Sequence, residues 1–449
     1  NLLLIMADQH RHDYLGCAGG DFVRTPNLDR MAAQGVRFTQ CTTNAPVCAP
    51  ARIGLAAGMQ PARLGSLDNQ SYLPFSARTY YQRLRDCGYR VGCCGKLDLA
   101  KPEPDVGRHG NLPRTYGWGF TDPIETEGKM SAGTRDVPRG PYGYYLREKG
   151  LFARFHADYQ HRRRNGWRLG VSHDSVLATE DFADSYVGRC SAEWIDRVGG
   201  DEPWHLFVSF VGPHDPFDPP TEYADRYRQA SMPEPIPHES AGRPRHHQDR
   251  MEVGTPEQMI ETRRQYAATV ELIDAEVGRI LDAVERRGQA DRTIVVYTSD
   301  HGEMLGDHGF YHKSCAYESA LRVPLIVSGP GVAAGEVSDA LVELIDVNPT
   351  LCELAGLPAQ EGIHARSFAP VLANASGEHR QETVSALREF RAIRTSRYKY
   401  VENYNDLDEL YDLRDDPREL HNLAAENPER CQALHRRMQA RFVEGKCEG

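Results

Sequence analysis

What most constrains this chain is a repeated juxtaposition: short apolar runs that each break off into a carboxylate or an imidazole. "LLLIMADQH" ends in Asp8, Gln9 and His10, "LFVSFVGPHDPF" in His214 and Asp215, and "TIVVYTSDHGE" in Asp300 and His301. Amphipathic helical stretches lie between them. Short buried strands alternating with helices give an α/β fold, a large and mostly parallel sheet flanked by helices. Ligands of such sheets bind beyond the carboxyl ends of the strands, so three strands with polar ends point to one site.

The spacing predicts strands over 2–7, 89–93, 205–211, 293–298 and 324–327, and helices over 27–34, 79–86, 256–287 and 347–354, the long one stopped by Gly288. The stretches 101–168 and 231–254 are rich in Gly and Pro with weak periodicity, and read as irregular insertions or active-site loops. After about residue 375 the character changes. "REFRAIRTSRYKYVEN" and "DELYDL" read as antiparallel strands, followed by an amphipathic helix over 428–442. The expected organisation is an α/β catalytic domain over 1–375 and a smaller α+β subdomain over 376–449.

A chain of 449 residues, 40% of them hydrophobic, can bury a core of that size. No run approaches the roughly 18 apolar residues of a membrane-spanning helix, so no membrane partner is expected. Fifty-three basic against 64 acidic residues leave a net charge of -11, which argues against nucleic acid as a partner. An anionic substrate then needs a local basic pocket. Eleven cysteines, with Cys93 and Cys94 adjacent, fit neither a full disulfide framework nor a paired zinc motif. That count, and a first stretch that reads as a strand and not as a leader, favour a cytoplasmic setting.

Each candidate has an ordinary reading beside its functional one. Asp8 alone is a turn or cap residue. Asp300 followed by His301 and a glycine, directly after a buried strand, suits a divalent-cation site, against a hydrogen-bonded core histidine. Cys48 in "TNAPVCAPARIGLAAG" is a buried structural thiol or an activated group. It precedes a helix predicted over 51–57, whose start favours an anion, and Arg52 lies one turn on, able to fork onto a tetrahedral oxyanion. Lys96 after "YRVGCCG" and Lys313 in "GFYHKS" are ordinarily solvated, as is the basic run 161–164.

Taken together these residues resemble the formylglycine-dependent sulfatases of the alkaline phosphatase superfamily. Cys48, Pro50 and Arg52 match the C-x-P-x-R core. Asp8, the Gly95–Lys96 pair, "PHDPF", "SDHGE", Lys313 and the closing "RYKYVENYNDLDELYDLRDDPRELHNLA" follow in family order. The resemblance implies hydrolysis of a carbohydrate or alkyl sulfate to alcohol and inorganic sulfate. It implies oxidation of Cys48 to formylglycine by a maturation enzyme, with the hydrate as nucleophile. Asp8, Asp300 and His301, with Gln9 as a further ligand, would hold a divalent cation, Ca2+ in most members, Mg2+ or Mn2+ as alternatives. Arg52 would stabilise the modified residue, Lys96 and Lys313 would neutralise sulfate oxygens, and His214 would protonate the leaving oxygen. Asn69 would bind substrate. An oligomer is compatible with the resemblance.

Two positions depart from the family pattern. Gln9 stands where many members carry a second aspartate, which resembles the choline sulfatase and phosphonate monoester hydrolase branch. Asp98 stands where a histidine normally assists breakdown of the sulfated intermediate, and reads either as its replacement base or as a substrate-binding residue. A phosphonate monoester hydrolase or phosphodiesterase, and a silent binding protein, are the rival readings. The retained Cys48, Arg52, Lys96, Lys313 and His214 count against the silent one. "ARFHADYQHRRR" offers cations for an acidic sugar such as a sulfated uronate.

Overall fold

The structure, a computed structural model, describes residues 1–165, 173–200, 202–238, 243–248 and 254–443. Its frame is a sheet of eight strands: β1 (Leu2–Asp8), β2 (Gly35–Thr42), β3 (Arg90–Gly95), β4 (Asp122–Glu125), β5 (Trp204–Pro213), β6 (Ile294–Ser299), β7 (Leu325–Ser328) and β8 (Glu336–Glu343). They lie in the order β4-β3-β5-β1-β6-β7-β2-β8. Neighbours run parallel except at β7, which is antiparallel to both β6 and β2. β1 is central, and all seven of its residues are buried. A strand covered on both faces is apolar throughout, which is why "LLLIMA" shows no polar alternation. Leu2, Leu4 and Met6 pack into the core on one face, Leu3, Ile5 and Ala7 into that on the other.

A second sheet is formed by β9 (Thr383–Ala386), β10 (Phe390–Arg394), β11 (Tyr398–Asn403) and β12 (Glu409–Asp412), antiparallel in the order β12-β11-β10-β9. The Pro428–Val443 helix packs Leu434, Met438 and Phe442 against Val384, Ile393 and Tyr400 of this sheet. Buried polar contacts join it to the larger layer. Arg394 forks onto Glu318 at 2.9–3.1 Å, and Asn44 donates to the Val384 carbonyl at 3.1 Å.

The stretch 101–168 is more ordered than its composition implies. It contains β4 and helices Pro113–Gly117, Lys129–Thr134, Pro141–Glu148 and Phe152–Arg164. Prolines open two of these helices, where the missing N–H costs nothing. Tyr142, Leu146, Phe152, Phe155 and Tyr159 bury one face together. Arginines interspersed with those aromatics obscure the helical period in sequence. The basic run supplies no cation to the active-site cleft: Arg162 pairs with Asp158 at 2.8 Å, and no residue of 153–164 lines the cleft. Strands β2, β4 and β8 and the Ala183–Arg197 helix also went unpredicted. Of the loop read over 231–254, residues 239–242 and 249–253 lie outside the described residues, as do 166–168 of the first insertion.

Candidate active site

Cys48 is the first residue of the Cys48–Ala57 helix, all ten residues of which are buried. The sequence placed that start at 51. It comes three residues earlier because Pro50 falls in the first turn, where no intrahelical amide bond is needed. Val47, at the cap position, contributes no side-chain bond. Instead Asn69 Oδ1 accepts from the Ala49 amide at 3.1 Å, which brings Asn69 beside the cysteine. Cys48 Sγ lies 3.2 Å from His301 Nε2 and 3.6 Å from Asp8 Oδ1. Burial and Asp8 would push the thiol up, but Lys101, Lys96 and Lys313 outweigh them and hold it well below the ordinary thiol range.

Arg52, one turn later and 1% exposed, ties the strand ends together. Its Nε donates to Asp300 Oδ2 at 2.8 Å and its Nη2 to Asp8 Oδ2 at 3.3 Å. Its Nη1 donates to the Lys96 carbonyl and to Ser209 Oγ, both at 2.7 Å. Thus β1, β3, β5 and β6 are all fixed to one guanidinium, whose forked donors match carboxylate geometry. Gly95 permits the close approach of β3 to β5: a Cβ there would sit 1.9 Å from the Ser209 carbonyl oxygen, and its φ is +114°.

Asp8, Cys48, Asp300 and His301 offer ligand atoms all within 4.8 Å of one another, each residue buried. Two carboxylates and an imidazole form a donor set that fits a divalent cation. Burial alone would raise the Asp8 carboxyl. Lys96, His214, Arg52 and His301 hold it well below the carboxylate range. Gln9 is engaged elsewhere. Its carboxamide oxygen accepts from Lys313 and its nitrogen donates to Glu303, while its backbone amide donates to Asp300 Oδ1 at 3.0 Å.

The remaining groups line the approach to Cys48. Lys96 donates to Asp8 and lies 3.0 Å from Asp98 Oδ2, which also accepts from Lys101 at 2.6 Å. Lys313 Nζ lies 2.7 Å from His214 Nε2, and His214 Nδ1 lies 3.1 Å from Asp215 Oδ1. His312 Nδ1 meets the same carboxylate oxygen at 3.2 Å. Gln9, Asp98 and His312 have φ of 74°, 55° and 66°, left-handed values that non-glycine residues adopt at a cost and that cluster at functional sites. Asn69, Lys96, Asp98 and His214 open onto a cleft of about 280 Å3, which Lys101, Glu125 and Thr126 also line.

All eleven candidate residues read from the sequence therefore belong to this one neighbourhood. Sequence reasoning missed Ser209, Lys101, Glu303 and His312 as members. Ser209 carried a signal, a lone hydroxyl inside "LFVSFV", and Glu303 is the last residue of the quoted "SDHGE", where no role was given to it. His312 precedes Lys313 in the quoted "GFYHKS", and Lys101, from a loop, carried no signal.

The sulfatase family model matches residues 1–357. The chain belongs to the sulfatase family. A second model, described as N-sulphoglucosamine sulphohydrolase, C-terminal, matches residues 306–447. Among similar proteins, choline-sulfatase of Rhizobium meliloti is 30% identical over 95% of this chain and 83% of its own length. The solved phosphonate monoester hydrolase of Agrobacterium radiobacter shares the fold at a TM-score of 0.81 with 23% identity, covering 99% of this chain and 96% of its own. So does the structure of BT4656 in complex with its substrate D-glucosamine-2-N,6-O-disulfate, at 0.80 and 21%, covering 100% and 99%. This sulfatase is a sulfuric ester hydrolase, which splits a sulfate ester into an alcohol and inorganic sulfate. Its family generally uses a divalent metal and formylglycine.

Proposed function

We propose that the ester cleaved is that of an alkyl or carbohydrate alcohol, and that the nucleophile is an oxygen at position 48, produced when a separate maturation enzyme oxidises Cys48 to formylglycine. The observation that carries this reading is the setting of Cys48 Sγ, buried at a helix start 3.2 Å from His301 and in the field of three lysines. An anionic nucleophile and an anionic substrate are both favoured in such a field.

Each residue then has a role set by its contacts. Lys96 and Lys313 neutralise the sulfate oxygens. Arg52 holds Asp8, Asp300 and the Lys96 carbonyl in one arrangement. His214, fixed by Lys313 on one side and Asp215 on the other, donates the proton to the leaving oxygen. Gln9 positions Lys313. Asn69 caps the nucleophile helix and faces the incoming ester. Asp8, Asp300 and His301 are the residues that would hold the cation, for which we propose Ca2+. When bound it would stabilise negative charge on the oxygen at position 48.

Asp98 is assigned to substrate binding and not to the breakdown step. Burial would raise its carboxyl, but Lys101 and Lys96 hold it below the ordinary range, which makes it a weaker base than imidazole at neutral pH. The test of the whole reading is a panel of phenyl sulfate, choline sulfate, a glucose sulfate and a phosphonate monoester. Inorganic sulfate release with higher kcat/KM for a sulfate ester is expected. A preference for the phosphonate monoester would overturn it.

A further inference from the structure

The wall of the cleft at the end of β4 has a different character from its floor. Glu125 pairs in register with Gly95 of β3, and the Thr126 amide donates to the Gly95 carbonyl at 2.9 Å, so both residues sit beside the strand end that carries Lys96. Glu125 is 4% exposed and Thr126 3%. Both line the cleft, yet Glu125 Oε2 and Thr126 Oγ1 have no hydrogen-bond partner. A buried acceptor without a donor is destabilising. Such groups call for a ligand to complete them.

The cations lining the same cleft are engaged elsewhere. Lys96 bonds Asp8 and Asp98, Lys101 bonds Asp98, and Lys129 bonds Asp218 at 2.8 Å and the Pro216 carbonyl at 2.7 Å. Nearby Arg114 donates to Glu103 at 2.6 Å. Burial leaves the Glu125 carboxyl near about 7, with Arg114 lowering it and Asp98 raising it. An extra carboxylate or sulfate on the substrate would face Glu125, Glu127 and Asp98 together, and like charges there repel. Among the described lining residues none is Phe, Tyr or Trp, so a quaternary ammonium would find no cage. The donors that suit this wall are hydroxyl groups.

Resting on the sulfate-ester reading above, we propose that Glu125 and Thr126 form the subsite that binds the hydroxyls of the leaving alcohol, and that the substrate is the sulfate ester of a polyhydroxylated ring that carries no further anionic group. A uronate ester and a choline ester are the classes it disfavours. This reverses the expectation of an acidic sugar drawn from the basic run.

The experiment measures kcat and KM for a glucose sulfate, a glucuronate sulfate, choline sulfate and phenyl sulfate. It uses the metal-loaded wild type and the variants Glu125→Ala, Glu125→Gln and Thr126→Val, with conversion at position 48 checked in each. The wild type should prefer the glucose sulfate. In Glu125→Ala the ratio of kcat/KM for glucose sulfate to that for phenyl sulfate should fall about tenfold or more, chiefly through KM. Smaller falls are expected for Glu125→Gln and Thr126→Val, which keep the ratio measurable where the alanine variant folds poorly. A ratio within about twofold of wild type in all three variants overturns the subsite. Wild-type preference for the glucuronate or choline ester overturns the substrate class. Turnover of phenyl sulfate with an unchanged ratio removes only this inference, whereas absence of turnover on every sulfate ester removes the sulfate reading and this inference with it.

Discussion

The floor and the wall of one cleft are built on opposite principles. On the floor, the carboxylates of Asp8 and Asp300 are matched by Arg52, Lys96 and backbone amides, and one guanidinium fixes four strand ends. On the wall, Glu125 and Thr126 are as deeply buried but carry acceptors with no donor. The floor needs nothing from the substrate to hold its shape, as transition-state stabilisation by fixed charges requires. The wall is left incomplete, and its completion depends on which alcohol arrives. Reaction chemistry and substrate choice thus reside in separate, adjoining sets of residues.

The largest expected effect falls on the floor. Cys48→Ala removes the side chain that becomes the nucleophile, and kcat should drop by roughly 10^4-fold or more while thermal stability changes little. Steady-state sulfate release and a melting curve on the same preparation measure both. Retained turnover would show that the floor does not act through position 48.

Next, Asp300→Ala strips one carboxylate from the buried cluster and leaves Arg52 Nε without its partner. Bound metal by elemental analysis and kcat should fall together, the latter on the order of 10^2-fold or more, and chelation should reproduce the loss. A fully active variant containing stoichiometric metal would mean that these strand ends are misassigned.

Asp98 stands where floor meets wall, and its variant divides the two roles. Asp98→Asn should raise KM for the preferred substrate by about tenfold and affect phenyl sulfate less. Pre-steady-state kinetics would reveal the alternative: a burst of released alcohol followed by slow turnover and a sulfated position 48 would make Asp98 the base for the second step.

The smallest effect concerns the stability of the wall. The Glu125 carboxyl is near about 7 when folded against 4.5 for the free group. Between those values the folded chain binds more protons than the unfolded chain, so this group favours folding at low pH and loses that contribution as pH rises through 7. Glu125→Gln should therefore flatten the fall in stability from pH 5 to pH 8, by at most about 3 kcal/mol. Denaturant unfolding of both proteins at the two pH values checks the sign, and an unchanged slope would mean that the wall carboxylate is not an isolated charge.

How much of this could be read beforehand follows the same division. β1, β5 and β6 are buried strands that end abruptly in Asp8, His214 and Asp300, so their positions and the convergence of their polar ends were legible in the chain itself. Cys48 and Arg52 carried a weaker local signal, a thiol at a helix start with an arginine one turn on, whereas the roles of Lys96 and Lys313 came only from a resemblance carried by order and spacing. The wall was not legible. β4 is four residues long and begins "DP", and the helices after it bury aromatic residues set among arginines, so neither strand nor helix periodicity emerges. Glu125 and Thr126 become notable only when burial and the lack of a donor are known together. The stretch 153–164, offered as a source of cations for an acidic sugar, shows the converse: charge is plain in sequence, but the direction it faces is not.

The account turns on position 48, and the most direct measurement is the mass of the peptide carrying it, followed across preparations made with and without a formylglycine-generating enzyme and compared with their specific activities. Activity should rise in proportion to the fraction of aldehyde or its hydrate at position 48 and extrapolate to zero for the pure thiol. Full activity in a preparation whose Cys48 is entirely unmodified would contradict it.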